Sequence, residues 1–100
     1  MTIEKIQEGA RAEWRLTGWL DTEAAPKLEA ALQELKLQAP ETEALVLDLA
    51  QVEYVSSAGL RQLVAAHKRL QGNLTLRHVG QEIQRVIRMT GLDRRLHIEA

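Results

Sequence analysis

The spacing of apolar residues changes period repeatedly along this 100-residue chain, and those changes restrict the folds open to it. Between residues 10 and 18, Ala10, Ala12, Trp14 and Leu16 alternate with Arg11, Glu13, Arg15 and Thr17. Period two is the mark of a half-buried strand, here with Trp14 turned inward and Trp19 on the opposite side. Residues 2–7 form a weaker strand candidate that pairs with it through a turn at Glu8-Gly9. The period then lengthens. Leu28, Ala31, Leu32 and Leu35 follow the i, i+3, i+4, i+7 stripe of an amphipathic helix. Asp21 and Thr22 offer capping oxygens for it, Pro26 fits only its first turn, and Pro40 with the acidic stretch 41–43 ends it.

Residues 44–49 are apolar except for Asp48, the composition expected of a central strand buried on both faces. From Ala58 the helical spacing returns with Leu60, Leu63, Val64, His67 and Leu70, and Gly72-Asn73 stops it. Leu74 and Leu76 alternate with Thr75 and Arg77 in a further strand. Ile83, Val86 and Ile87 mark a third helix closed by Gly91, and residues 96–98 are a last short strand. The order β-β-α-β-α-β-α-β contains successive strand-helix-strand units. It predicts an α/β fold: a mixed sheet of four to five strands with three helices packed against it, all in one domain over residues 1–100.

Composition removes whole classes of function. With 45% hydrophobic and 27% charged residues the chain is of ordinary globular type. Its longest apolar stretch breaks at Asp48, far short of the roughly 20 residues of a membrane-spanning helix. The first residues lack the basic start and apolar core of a secretory signal, and there is no cysteine. These features predict a cytoplasmic protein with no direct membrane insertion. The net charge is -1, although residues 1–50 hold 5 Lys/Arg against 10 Asp/Glu and residues 51–100 hold 8 against 4. A balanced total and only three aromatics, Trp14, Trp19 and Tyr54, argue against a nucleic-acid partner.

Catalytic signatures are missing as well. His67, His78 and His97 lie 11 and 19 residues apart, without a metal-ligand spacing. No glycine-rich phosphate loop and no Gly-x-Ser-x-Gly elbow occurs. Asp21 and Asp48 could act as paired carboxylates only if the fold brought them together; otherwise each reads as a cap. The expectation is a protein that is not an enzyme, with no cofactor and no metal. One segment stands out: residues 48–60, in which a buried strand passes into a helix whose first turn holds Ser56, Ser57 and Gly59. Read locally, one serine caps the helix and Gly59 permits close packing.

That segment resembles the signature of the STAS domain family, the bacterial anti-sigma factor antagonists: an apolar pair, Asp, Ser, Ser or Thr, Gly, Leu. Residues 16–21, Leu-Thr-Gly-Trp-Leu-Asp, are similar to the family's Leu-x-Gly-x-Leu-Asp, and Gly91-Leu92-Asp93 resembles its C-terminal Gly-Leu turn. The resemblance spans roughly residues 10–98. It implies that Ser57 is the serine phosphorylated by the partner, an anti-sigma factor with serine kinase activity, with Ser56 second to it. It further implies a partner-binding surface formed by Asp21, Thr22, Ser56, Ser57, Ala58, Gly59 and Leu60. An exposed apolar docking patch is expected around Trp19, Val55 and Leu60. The chain departs from the family pattern where Ser56 replaces the usual Asp before the phosphorylated serine and Ala58 occupies the following Ser/Thr position. STAS-like domains also serve as non-phosphorylated subunits of lipid-transport or signalling complexes. Nucleotide binding by the domain itself is the weakest alternative, for want of a phosphate loop.

Overall fold

The alternating segments pair into one five-stranded sheet in the computed structural model, which describes residues 1–99. In chain order the elements are β1 (Thr2–Gln7), β2 (Arg11–Leu20), α1 (Ala25–Gln38), β3 (Ala44–Val55), α2 (Ser57–Arg69), β4 (Leu74–Arg77), α3 (Gln81–Met89), a 3-10 turn (Leu92–Arg94) and β5 (His97–Ile98). The strands lie side by side in sequence order. β1 is antiparallel to β2, while β2 to β5 are mutually parallel. Each parallel step moves in the same direction across the sheet through one helix. Because such crossovers are right-handed, all three helices fall on one face.

The core confirms this placement. Ala12, Trp14 and Leu16 of β2, Leu45, Leu47 and Leu49 of β3, and Leu74 and Leu76 of β4 join Leu28 and Leu32 of α1, Leu63 of α2, and Ile83 and Ile87 of α3 in one buried cluster. Trp14 is fully buried, as its place in the alternation predicts. Val86, although spaced with Ile83 and Ile87, is instead exposed.

Three expectations are corrected. The central strand is not covered by helices on both faces: Val46 and Asp48, whose side chains alternate with the core leucines, face the side without helices, and Val46 is only half-buried. The same strand continues to Val55, six residues beyond the apolar run. Irregular pairing with β2 between Arg15 and Thr17 and between Gly18 and Trp19 disrupts the alternation there, so Leu49, Val52 and Val55 are buried at every third position. Asp21 does act at the entrance to α1, but one turn early: its carboxylate accepts the Ala24 N–H at 2.9 Å, and the N-cap position is Ala24 without a side-chain cap. Pro26 lies in the first turn as expected.

Candidate functional site

The carboxyl ends of β2 and β3 are joined where α2 begins. Leu20 and Val55 are register partners, and the Ser56 N–H donates to the Leu20 carbonyl at 2.9 Å. Ser56 is extended and caps α2 twice: its hydroxyl accepts the Gly59 N–H at 3.2 Å, and its carbonyl accepts the Leu60 N–H at 2.8 Å. With the capping role taken by Ser56, Ser57 is the first helical residue. Its side chain is exposed, and none of the side-chain hydrogen bonds among the described residues involves it. The first turn of α2 holds no acidic residue. The positive end of the helix dipole at Ser57 is therefore not offset by a carboxylate within that turn.

Gly59 fixes how closely the helix approaches the sheet. A Cβ there would lie 2.3 Å from the Leu20 carbonyl oxygen, 2.9 Å from Leu20 Cγ and 3.1 Å from Val55 Cγ1. Only the bare α-carbon lets α2 start directly on the strand ends.

The structure therefore sorts the expected partner-binding residues by depth. Thr22 and Ser57 are exposed, and Asp21, Ser56 and Ala58 are half-buried. Gly59 and Leu60 are buried beneath them. Val55 and Leu60 are only 6% and 4% exposed, so the expected apolar docking patch is corrected at both. Both side chains are drawn into the core by the close approach that Gly59 allows. Trp19 does stand on the surface, 55% exposed, and its partner across the register is Tyr54, 49% exposed. The two rings are tilted at 59° with centroids 5.6 Å apart. Tyr54 escaped the sequence reading because its relation to Trp19 depends on strand register. Its position two residues before Ser56 was the available signal.

Asp48 and Asp21 are not brought together as paired carboxylates. Asp48 is 4% exposed on the helix-free face of the sheet. Its Oδ1 accepts the Ala50 N–H at 3.0 Å and lies 3.1 Å from His78 Nδ1, while Oδ2 is 3.7 Å from Arg15 Nε. Burial pushes its carboxyl pKa up, but the Ala50 N–H, His78 and Arg15 outweigh that effect and hold it below the ordinary aspartate value. Beside it, Arg77 bridges Glu13 at 3.0 Å and Glu99 at 3.5 Å. His67 is half-buried on α2 and His97 is exposed on β5. Among the described residues no group of three or more His, Cys, Asp or Glu side chains is arranged to hold a metal ion. No helix of the described residues is long and apolar enough to cross a membrane.

A one-sided mixed sheet with a serine-bearing helix start at its carboxyl edge defines the architectural class. Over residues 5–98 the chain matches the family model for the STAS domain of the MlaB type, and it belongs to that family. An anti-sigma factor antagonist from Mycobacterium paratuberculosis is 28% identical, with a TM-score of 0.83 over 98% of this chain and 84% of that one. TM1081 from Thermotoga maritima is 20% identical, with a TM-score of 0.86 over 98% of this chain and 86% of that one. The Bacillus cell fate determinant SpoIIAA in its phosphorylated form is 16% identical, with a TM-score of 0.73 over 99% and 91% of the two chains. No curated protein matches the sequence.

Proposed function

We propose that this chain is a cytoplasmic anti-sigma factor antagonist, binding an anti-sigma factor with serine kinase activity and released from it by phosphorylation of Ser57. The observation that carries this reading is the division of labour at the start of α2: Ser56 holds the helix, leaving the Ser57 hydroxyl exposed and outside the cap. The likeness to the Mycobacterium paratuberculosis antagonist supports it.

In the reaction, the Ser57 Oγ attacks the γ-phosphorus of ATP held by the partner. The bond to the ADP leaving oxygen breaks, and the hydroxyl proton passes to a base of the kinase. Ser57 is a substrate, with no base or phosphate cradle of its own. The product carries about -1.5 to -2 charges and three acceptor oxygens. Within the free protein the N-terminal N–H groups and dipole of α2 accommodate that charge. A partner packed flush against the unmodified hydroxyl has to desolvate it, and the complex separates. Trp19 and Tyr54 supply the apolar contact beside the switch, with Asp21, Thr22 and Ser56 around it; Gly59 and Leu60 set the shape from below.

The test is intact-mass spectrometry after incubation with ATP and the kinase-like anti-sigma factor encoded nearest this chain, comparing wild type, Ser57→Ala and Ser56→Ala. One added phosphate that disappears only in Ser57→Ala supports the switch. With the kinase shown active on another protein, an unmodified wild type rejects it in favour of a non-phosphorylated subunit of a transport or signalling complex, a reading that Ser56 in place of the usual Asp also suits.

A further inference from the structure

The helix that carries Ser57 has no acidic residue anywhere along its length, yet it bears exposed cations at Arg61 and Lys68. Arg61 stands four residues after Ser57, on the next turn of α2. Side chains at that spacing share one face of a helix with Cβ atoms about 5–6 Å apart, and a long side chain leans back over the turn before its own. Arg61 is therefore placed to reach the Ser57 side chain.

Along the helix Arg61 has no other polar neighbour. At i-4, i-3, i+3 and i+4 it meets Ser57, Ala58, Val64 and Ala65, of which only Ser57 has a polar side chain. Arg61 is exposed and takes part in no ion pair or side-chain hydrogen bond among the described residues. The other titratable groups on the segments that meet at the start of α2 are Asp21 and Glu23 ahead of α1, Lys27 and Glu29 on it, and Glu53 and Tyr54 at the end of β3. Three of them are already engaged: Asp21 accepts the Ala24 N–H, Lys27 donates to the Met1 carbonyl and Glu29 accepts from Gln62.

We infer that Arg61 is the intramolecular receptor for a phosphate on Ser57, pairing with it along α2 once the serine is modified. The inference rests on the phosphorylation reading and extends it to the fate of the phosphate. A guanidinium offers a phosphate two parallel N–H donors, and an anion one turn N-terminal to a cation is the favourable order on a helix. Modification then changes the surface at two positions: it adds an anion at Ser57 and withdraws a free cation at Arg61. A partner matched to the unmodified surface is mismatched at both.

Phosphoserine is installed at position 57 during translation, so that no kinase is needed, and the second ionisation of its phosphate, ordinarily at about pH 6, is followed by phosphorus NMR. Arg61→Gln is expected to raise that pKa by at least about 0.3 unit over wild type. Lys68→Gln, on the same exposed face about three turns from Ser57, should raise it by no more than about 0.1 unit. Arg61→Lys, which keeps the charge without the fork, should fall between wild type and Arg61→Gln. The helix dipole and the surrounding carboxylates are common to all these proteins, so the differences isolate Arg61. In wild type the Arg61 Nε–H signal should also move on phosphorylation, and an unchanged melting temperature of unmodified Arg61→Gln confirms that the variant is folded. A phosphate pKa unchanged in Arg61→Gln, an equal rise in Lys68→Gln, or an Arg61 signal that phosphorylation leaves in place would each overturn the inference. The two readings fail separately: a kinase that does not modify Ser57 rejects the switch and leaves this measurement intact, whereas an unpaired phosphate rejects the Arg61 contact and leaves the kinase result intact.

Discussion

Two polar regions of this molecule are built in opposite ways. On the helix-free face of the sheet Asp48 is buried and held by the Ala50 N–H, His78 and Arg15, with the Glu13–Arg77–Glu99 chain beside it. At the carboxyl end of β2 and β3, Ser57 is exposed and has no side-chain partner, because Ser56 makes the helix cap. The first region joins three strands and consumes its own hydrogen-bonding capacity. The second leaves a hydroxyl available to another molecule. In this chain dense polar bonding marks architecture, and an unused polar group on a rigid backbone marks the candidate site. That distinction predicts that variants in the two regions separate stability from modification.

The largest effect is expected beneath the site. Gly59→Ala places a methyl group 2.3 Å from the Leu20 carbonyl oxygen, a backbone atom that cannot swing aside. α2 has to lift from the strand ends, at a cost of about 3 kcal/mol. Urea denaturation measures it. A loss below about 1 kcal/mol would mean that the helix start is not rigidly seated, and the contrast with the Asp48 region would collapse.

Next comes Asp48→Ala, which orphans the Ala50 N–H and removes the common partner of His78 and Arg15. Its expected cost is about 2 kcal/mol near neutral pH, with phosphorylation at Ser57 retained. The pH dependence has a definite sign. Since the folded carboxyl titrates below its ordinary value, the unfolded chain takes up the proton first, and stability falls as the solution is acidified. The contribution is complete above the usual aspartate range and is lost below about pH 4. Acid titration of wild type against Asp48→Ala should therefore narrow the gap between the two stability curves at low pH. Curves that stay parallel throughout would remove Asp48 from the acid response.

Most of the scaffold was legible from local periodicity. The 10–18 alternation identifies β2 and the inward side of Trp14, and the leucine spacing identifies α1 and α2, because each signal lies within a few turns or residues. Ser56 and Ser57 were legible as a helix start, although which of the two caps it depends on a backbone angle that composition does not encode. The remainder was hidden by long-range geometry. Trp19 and Tyr54 meet only through the irregular register of β2 and β3. Asp48 finds Arg15 and His78 across 33 and 30 residues of chain, so a lone acid in an apolar run could not be told from a strand-end cap. The burial of Val55 and Leu60 follows from the close seating of α2, which a sequence pattern suggests through Gly59 but does not measure.

Ser56→Ala examines the cap directly. It removes the acceptor for the Gly59 N–H and should lower stability by about 1 kcal/mol, while Ser57 remains a phosphate acceptor. If Ser56→Ala instead abolished phosphorylation and left stability unchanged, the roles of the two serines would be exchanged.

The smallest effect on stability is expected at Ser57 itself. Its side chain is exposed and takes no part in the cap, so Ser57→Ala should change unfolding free energy by no more than about 0.5 kcal/mol. The same substitution should eliminate kinase-dependent phosphate and leave a protein that stays bound to the partner in the presence of ATP. Ser57→Glu should also fold normally, because a negative charge at the first residue of α2 interacts favourably with the helix dipole, yet bind the partner more weakly than wild type. Pairing chemical denaturation with partner binding on these two variants isolates the switch. Equal stability with opposite binding behaviour is the signature of a hydroxyl exposed for modification, whereas a large loss of stability in Ser57→Ala would make it a second structural cap and place the two polar regions in the same class.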